Sequence, residues 1–499
     1  MQESRMDTSV VVVGAGPTGL MLAAELRLGG AEVVLLERLP EPTGESRGIG
    51  FTLRTMEIFD QRGLLPRFGE LATSTAGHFG GIPLDLGVLG ATHEAARTVP
   101  QSTTEAVLAA RASELGVRIL RGRTVTGVEQ GDDHVTVTTA EGTTVTARYL
   151  VGCDGGRSVV RNAAGFDFPG TPATTELFLA DLRGVDLPPR MSAQQVPGGM
   201  VMTAKLPGGV HRIIVGERGV PPRRRTGPPA FAEVADLWKR LTGIDVAQAE
   251  PVWVSAFGDA ARLVTEYRRG RVLLAGDAAH VHLPAGGQGM NTGIQDALNL
   301  GWKLAAVVRA TAPEALLDTY HDERHEVGRR LLANTRAQGL LILGGEEVAP
   351  LREVLTELAD HPEVARDLAA RASGLDVRYP AAGDSPLLGA RIPQLALTRA
   401  GRDTTVFELL RGGRGVLLDL ADNARLRARA EGWREQVAVV TAEVRAAADT
   451  RRLDGTTAVL LRPDGYVAWA APGSYQDLPT ALRRWFGPGR GTGRPAPLD

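Results

Sequence analysis

The chain has 499 residues, enough for about three domains and a large buried core. Its 56 Lys plus Arg nearly cancel 58 Asp plus Glu, and the net charge of -2 carries no footprint for nucleic acid or an anionic membrane, so a small-molecule partner is expected. One cysteine, Cys153, excludes an intrachain disulfide and a cysteine-cluster metal site, and fits a reducing compartment such as the cytoplasm.

The apolar run Val10 to Val13 is too short to span a bilayer and follows acidic Glu3 and Asp7, not a basic leader. No other stretch reaches the roughly 20 apolar residues of a spanning helix, so a soluble protein is expected. Residues 9 to 37 read as strand, glycine-rich turn, helix and strand, with Gly29-Gly30 as the helix stop. Within it Gly14-Ala15-Gly16-Pro17-Thr18-Gly19 fits G-x-G-x-x-G, whose amides and helix N-terminus hold a pyrophosphate. Glu37 closes the second strand near the offset of roughly 20 residues at which a carboxylate accepts from an adenosine ribose.

Further on, Val135 to Thr139 and Thr143 to Ala147 alternate around Glu141-Gly142 as a hairpin, and a partner strand, Tyr149 to Gly152, leads into Asp154-Gly155-Gly156. Residues 171 to 264 hold β-like pieces such as Val210 to Val215 and Val252 to Ala256, expected to form a sheet that faces a ligand. Segment 270 to 280 then sets the Asp277 carboxylate at the end of an apolar strand, where it could accept from a ligand hydroxyl. Pro284-Ala-Gly-Gly-Gln-Gly-Met-Asn291 supplies flexible backbone before a helix expected from about Thr292, whose dipole supports an anion site.

His280 and His282 bracket that loop, either as ligand contacts or as hydrogen-bonded structural residues. His321 and His325 are four apart on an expected helix, but without the Glu that would follow the first His of a metalloprotease they read as a polar face, and no metal site is expected. A Gly/Pro-rich break at Tyr379 to Pro393 marks a linker. Beyond it Val416 to Leu420, Val437 to Thr441 and Thr457 to Leu461, with the turn Pro463-Asp464-Gly465, suggest a small α/β domain, and the tail 487 to 499 is expected to be disordered.

Gly14 to Gly19, Asp154-Gly155, and Gly276-Asp277 with Pro284 to Asn291 resemble, in order, the three motifs of the single-component flavoprotein aromatic hydroxylases, the para-hydroxybenzoate hydroxylase superfamily. Gly44 to Gly48, Gly77 to Gly81, Val99 to Gln101 and Val151 to Arg157 are most similar to the polyketide hydroxylases that act on angucyclines and anthracyclines. The resemblance implies an α/β fold: a Rossmann-like FAD-binding domain (1–170 and 271–385), a β-sheet substrate domain (171–270) and a thioredoxin-like C-terminal domain (395–485). That last domain has no cysteine, which rules out dithiol exchange and leaves a structural or interface role.

The resemblance also implies an NADPH- and O2-dependent hydroxylase that works through a flavin C4a-hydroperoxide, with a homo-oligomer left open. For FAD it points to Gly14, Gly16, Pro17, Thr18, Gly19, Glu37, Arg38, Arg47, Gln101, Asp154, Asp277, Pro284, Gly287, Gly289, Met290 and Asn291. Asp154 and Arg157 would also serve the nicotinamide, while a turn cap is the plainer reading of Asp154. Pro284 is the one nominee at the flavin–substrate junction, and no general base can be named. Only one G-x-G-x-x-G exists, so NADPH must reduce the flavin on the FAD domain itself, with the flavin swinging outward to meet it.

A bulky polycyclic phenol is the expected substrate, with Phe79, Met200 and Met202 as adaptable walls and Arg212 the only nearby candidate to clamp a carboxylate. Two alternatives are a flavin-dependent halogenase, whose Trp-x-Trp-x-Ile-Pro signature is absent, and a flavin- or ligand-binding resistance protein without turnover.

Overall fold

A computed structural model describes residues 6–490 except 46–47, 49, 72, 92, 94, 189, 446–452, 454 and 473–474. The chain opens with β1 (Thr8–Val13), α1 (Pro17–Leu28) and β2 (Val33–Glu37), where the apolar run, the proline at the helix start and the Gly29-Gly30 stop direct them. After α2 (Leu53–Gln61) come a hairpin of β3 (Ala76–Phe79) and β4 (Ile82–Asp85), then α3 (Gln101–Glu114) and β5 (Arg118–Arg121). β6 (Val135–Thr139) and β7 (Thr144–Gly152) follow, then α4 (Val159–Ala163).

The sequence suggested a hairpin arm and a separate strand at 149–152, but β7 is one strand serving two neighbours. Its alternating first half pairs antiparallel with β6, and its apolar second half pairs parallel with β1. The change from period-2 alternation to a continuous apolar run records the passage from a half-exposed hairpin into a sheet buried on both faces.

A second sheet runs β9 (Arg190–Val196), β10 (Gly199–Leu206), β11 (Val210–Glu217), β8 (Glu176–Arg183) and β12 (Glu250–Gly258), with α5 (Phe231–Thr242) inserted before β12. Alternation assigns its faces: Phe178, Ala180, Val201, Ile213 and Val215 pack on Val234 and Trp238 of α5. Leu177, Met200, Ile214 and Phe257 point the other way, against Leu283, Ala285 and Ile342.

The chain then returns to the first sheet as β13 (Val272–Leu274), completing the parallel order β13-β7-β1-β2-β5. α6 (Gln288–Val308) and α7 (Asp318–Leu343) follow. α6 starts at Gln288, a turn earlier than the glycines led us to expect, because buried Gln288 and Asn291 anchor its first turn.

The C-terminal unit orders β15 (Val437–Thr441), β14 (Gly415–Asp419), β16 (Ala458–Leu461) and β17 (Val467–Ala471), closed by α8 (Leu478–Phe486). Leu417, Trp433, Trp469, Trp485 and Phe486 share one core with β1 and α6. The linker is also tied down, as Gly389 N donates to Val467 O at 2.9 Å and Ile392 N to Gly465 O at 2.9 Å. Of the tail, Gly487 O accepts from Trp433 Nε1 at 2.8 Å and Arg490 N donates to Gly432 O, so 487–490 are packed, while 491–499 lie outside the described residues. Among the described residues, no helix is long and apolar enough to cross a membrane.

Candidate active site

The three glycine-containing motifs, distant in sequence, meet at the C-terminal ends of β1, β7 and β13, where open parallel sheets bind ligands. Gly14 has φ +105, and a Cβ there would strike the Cys153 carbonyl; at Gly19 it would strike Gly14 O and stand 3.2 Å from Cys153 Cβ. The Cys153 thiol is buried, and that burial raises its pKa well above normal, so it serves as packing. Thr18 Oγ1 lies 2.7 Å from where a Cβ on Gly276 would stand and fills the corresponding space at Gly293. Gly16 differs, since its φ is an ordinary -75 and a Cβ there would meet nothing within 4 Å. The protein itself gives no reason for a glycine at that position; close approach of a pyrophosphate to the backbone gives one, and this is the observation by which the turn fits FAD.

The predicted carboxylates take distinct places. Glu37 accepts from Ala15 N at 2.7 Å and Leu39 N at 2.9 Å, bracing the turn from the end of β2, with exposed Arg38 beside it. Asp154 accepts from Ser158 Oγ at 2.5 Å, Val159 N at 2.7 Å and Val160 N at 3.1 Å, so its carboxylate caps the start of α4. Burial raises its pKa, only partly offset by those donors. Arg157 is exposed. Asp277 is exposed at the tip of its turn. Its Oδ1 and His282 Nε2 lie 3.9 and 3.5 Å from where a Cβ on Gly289 would stand.

His282 Nδ1 lies 2.7 Å from Leu283 O, which can only accept, so Nδ1 carries the proton and neutral Nε2 is an acceptor. Burial, then His280, lowers the His282 pKa. His280 is structural: it is fully buried with Nε2 2.8 Å from Asp296 Oδ2.

At the loop, Asn291 accepts from Thr52 N at 3.0 Å and donates to Gly50 O at 3.2 Å and Gly287 O at 2.8 Å, tying α6 to the segment before α2. Gln101 accepts from Gly48 N at 3.2 Å, and Met290 Sδ stands 3.5 Å from the Cβ position of Gly48, so these three come together. Pro284 and Gly287 are exposed at the loop's crest. Arg47 lies outside the described residues.

On the substrate side, Met200 packs with Leu177, Leu283, Ala285 and Ile342, and Met202 shares its strand face. Phe79 instead joins Ile82, Leu84 and Leu341 in the core of the β3–β4 hairpin. Arg212 is buried in a bidentate pair with Asp181, Nε–Oδ1 and Nη2–Oδ2 both 2.7 Å, with the Trp253 ring 5.7 Å from its guanidinium. His321 Nδ1 accepts from Tyr267 N at 3.3 Å, and no group of three His, Cys, Asp or Glu able to hold a metal exists among the described residues.

Sequence reasoning missed Asp296, Arg324 and Tyr379, which lie behind the Gly276-Asp277 turn. The available signal was a row of polar residues at helical spacing, Asp296, Asn299 and Lys303, among the apolar residues of α6 from Ile294 on.

A Rossmann-like turn interlocked with two further flavin-type motifs, facing the apolar side of a second sheet, defines a flavin-dependent hydroxylase. The comparisons agree: the FAD binding domain family matches residues 7–335, and the aromatic-ring hydroxylase C-terminal family matches 385–489. The chain belongs to the FAD-dependent polyketide hydroxylases of the para-hydroxybenzoate hydroxylase superfamily and is an aromatic monooxygenase. It is similar to the solved structure of CabE, an aromatic hydroxylase from angucycline biosynthesis, at 61% identity and TM-score 0.94 over 97% of this chain and all of that one. BexE, from BE-7585A biosynthesis, is 65% identical with TM-score 0.91 over 97% and 100%. The 12-dehydrotetracycline 5-monooxygenase/anhydrotetracycline 6-monooxygenase of Streptomyces rimosus is 43% identical over 97% of this chain and 99% of its own.

Proposed function

We propose that the enzyme uses NADPH and O2 to hydroxylate a neutral polycyclic aromatic polyketide of the angucyclinone kind. The observation that carries this reading is the sheet face opposite the flavin loop. Leu177, Met200, Ile214 and Phe257 line it, and Arg212 on the same face is already held by Asp181, so this guanidinium is not offered to a substrate carboxylate. The likeness to CabE points the same way.

FAD, when bound, would supply the redox and oxygen-transfer chemistry. The chain's own residues bind and orient. Gly16 and its neighbours would admit the pyrophosphate, Glu37 and Arg38 would flank the adenosine, and Asp277 would take a ribityl hydroxyl. Gln101, Met290 and Asn291 would hold the isoalloxazine edge, Asp154 holds the backbone turn beside it, and Gly287, Gly289 and Pro284 would leave room for the ring. Met200 and Met202 orient the substrate rings and keep water away.

Stopped-flow mixing with NADPH tests this. An angucyclinone should accelerate flavin reduction and yield a product heavier by one oxygen. Binding without faster NADPH oxidation would identify a ligand-binding flavoprotein instead.

A further inference from the structure

Behind the cofactor turn runs a chain of buried polar groups that ends in the C-terminal sheet. Asp296, on α6, is fully buried. Its Oδ2 accepts from Gly276 N at 3.0 Å and meets His280, while its Oδ1 accepts from Arg324 Nε at 2.6 Å. Burial alone would raise the Asp296 pKa, but Arg324 and His280 outweigh it and hold the carboxylate ionised.

Arg324, equally buried on α7, also donates to Thr292 O at 3.3 Å and to the Tyr379 hydroxyl at 3.1 Å. Tyr379 packs against Tyr466 with ring centroids 4.2 Å apart and the planes tilted by 33°. Tyr466 closes the turn that Arg462 and Asp464 form, and Arg462 reaches back to Glu323, the residue before Arg324, at 2.9 Å. Two consecutive residues of α7 therefore join one network, Glu323 linking Asn299 and Lys303 of α6 to Arg462 of the C-terminal unit and Arg324 linking Asp296 to Tyr379. A buried charge that loses its partner is strongly destabilised, so these groups are held in one register.

We propose that Arg324 is a positioning residue for the flavin. Through Asp296 it sets the Gly276-Asp277 turn and the first turns of α6, and through Tyr379 it makes that placement depend on the C-terminal domain. The inference rests on the flavin reading of this turn. It gives a domain without a thiol a part in the reaction.

Tyr379→Phe keeps the ring contact with Tyr466 and removes only the acceptor, while Arg324→Lys keeps the charge and loses the fork. Arg329→Ala, exposed on α7, is the control. Holoenzymes would be compared by fluorescence of flavin released on dilution, by product formed per NADPH consumed, and by unfolding at saturating FAD. Tyr379→Phe should raise the FAD Kd about threefold to tenfold, the range of one ordinary net hydrogen bond, and lower product per NADPH while the protein stays folded with only a modest loss of stability. Arg324→Lys should do more, and Arg329→Ala nothing.

A Tyr379→Phe enzyme with unchanged Kd and coupling overturns the proposal, and so does one that loses stability alone. If Arg324→Lys fails to fold, Tyr379→Phe decides. A wild-type protein that binds no FAD would overturn the flavin reading itself, and this inference with it.

Discussion

Thr18 Oγ1, in the first glycine-rich turn, fills the space that a Cβ on Gly293 of α6 would need. The N-terminal motif and the helix behind the flavin loop are thus fitted to each other without slack. Gly293→Ala should destabilise the protein by about 1–3 kcal/mol through overpacking. Thr18→Ala in the same chain should restore part of that loss, and strictly additive effects in the double-mutant cycle would refute the interlock.

Gly16 makes the opposite prediction, since a Cβ there meets no protein atom. Gly16→Ala should leave unfolding of the polypeptide within about 1 kcal/mol of wild type. Retention of FAD, read from the visible absorbance of the purified protein, should fall sharply. Normal flavin content would mean the open space is not where the pyrophosphate sits.

Asp277 is exposed at the end of a buried strand, beside His282 and Gly289. Asp277→Ala should weaken FAD binding by about tenfold or more, the scale of a hydrogen bond to an ionised carboxylate. Fluorescence titration would measure it, and an unchanged affinity would remove Asp277 from the ribityl contact.

Lys303 is buried beside Glu323 and Asn299, and burial lowers its pKa to about 8 despite the Glu323 charge. The unfolded chain keeps that proton up to the model-peptide value of roughly 10.4. Between these values the unfolded state binds more protons, so stability should rise with pH, by about 3 kcal/mol in all from this group. Denaturant unfolding at pH 7.5, 9 and 10 should show a steeper rise in wild type than in Lys303→Met. Parallel profiles would contradict the assignment.

The βαβ start, the β6–β7 hairpin and the C-terminal strands were legible in the sequence because period and turn chemistry are local signals. So was the meeting of the three motifs, although only through resemblance, for nothing local tells Gly14 that Cys153 lies against it. The polar network was not legible. Arg462 and Glu323 are separated by 139 positions, and each alone reads as an ordinary surface charge. Phe79 shows the same limit: a loop of small residues suggested a ligand wall, but the hairpin needs that ring for its own core. Gln288 and Asn291 start α6 through partners on other segments, Thr52 among them, which no propensity encodes.

The central claim is that the site takes a neutral polycycle, not a single-ring acid, because Asp181 already holds Arg212 and methionines line the facing sheet. The most direct measurement titrates the oxidised holoenzyme with an angucyclinone and, separately, with para-hydroxybenzoate, following the flavin spectrum and the rate of NADPH oxidation. The account predicts a saturable spectral change and coupled hydroxylation with the angucyclinone, and no response to the benzoate. Tight binding and coupled hydroxylation of the benzoate, with no response to the polycycle, would contradict it.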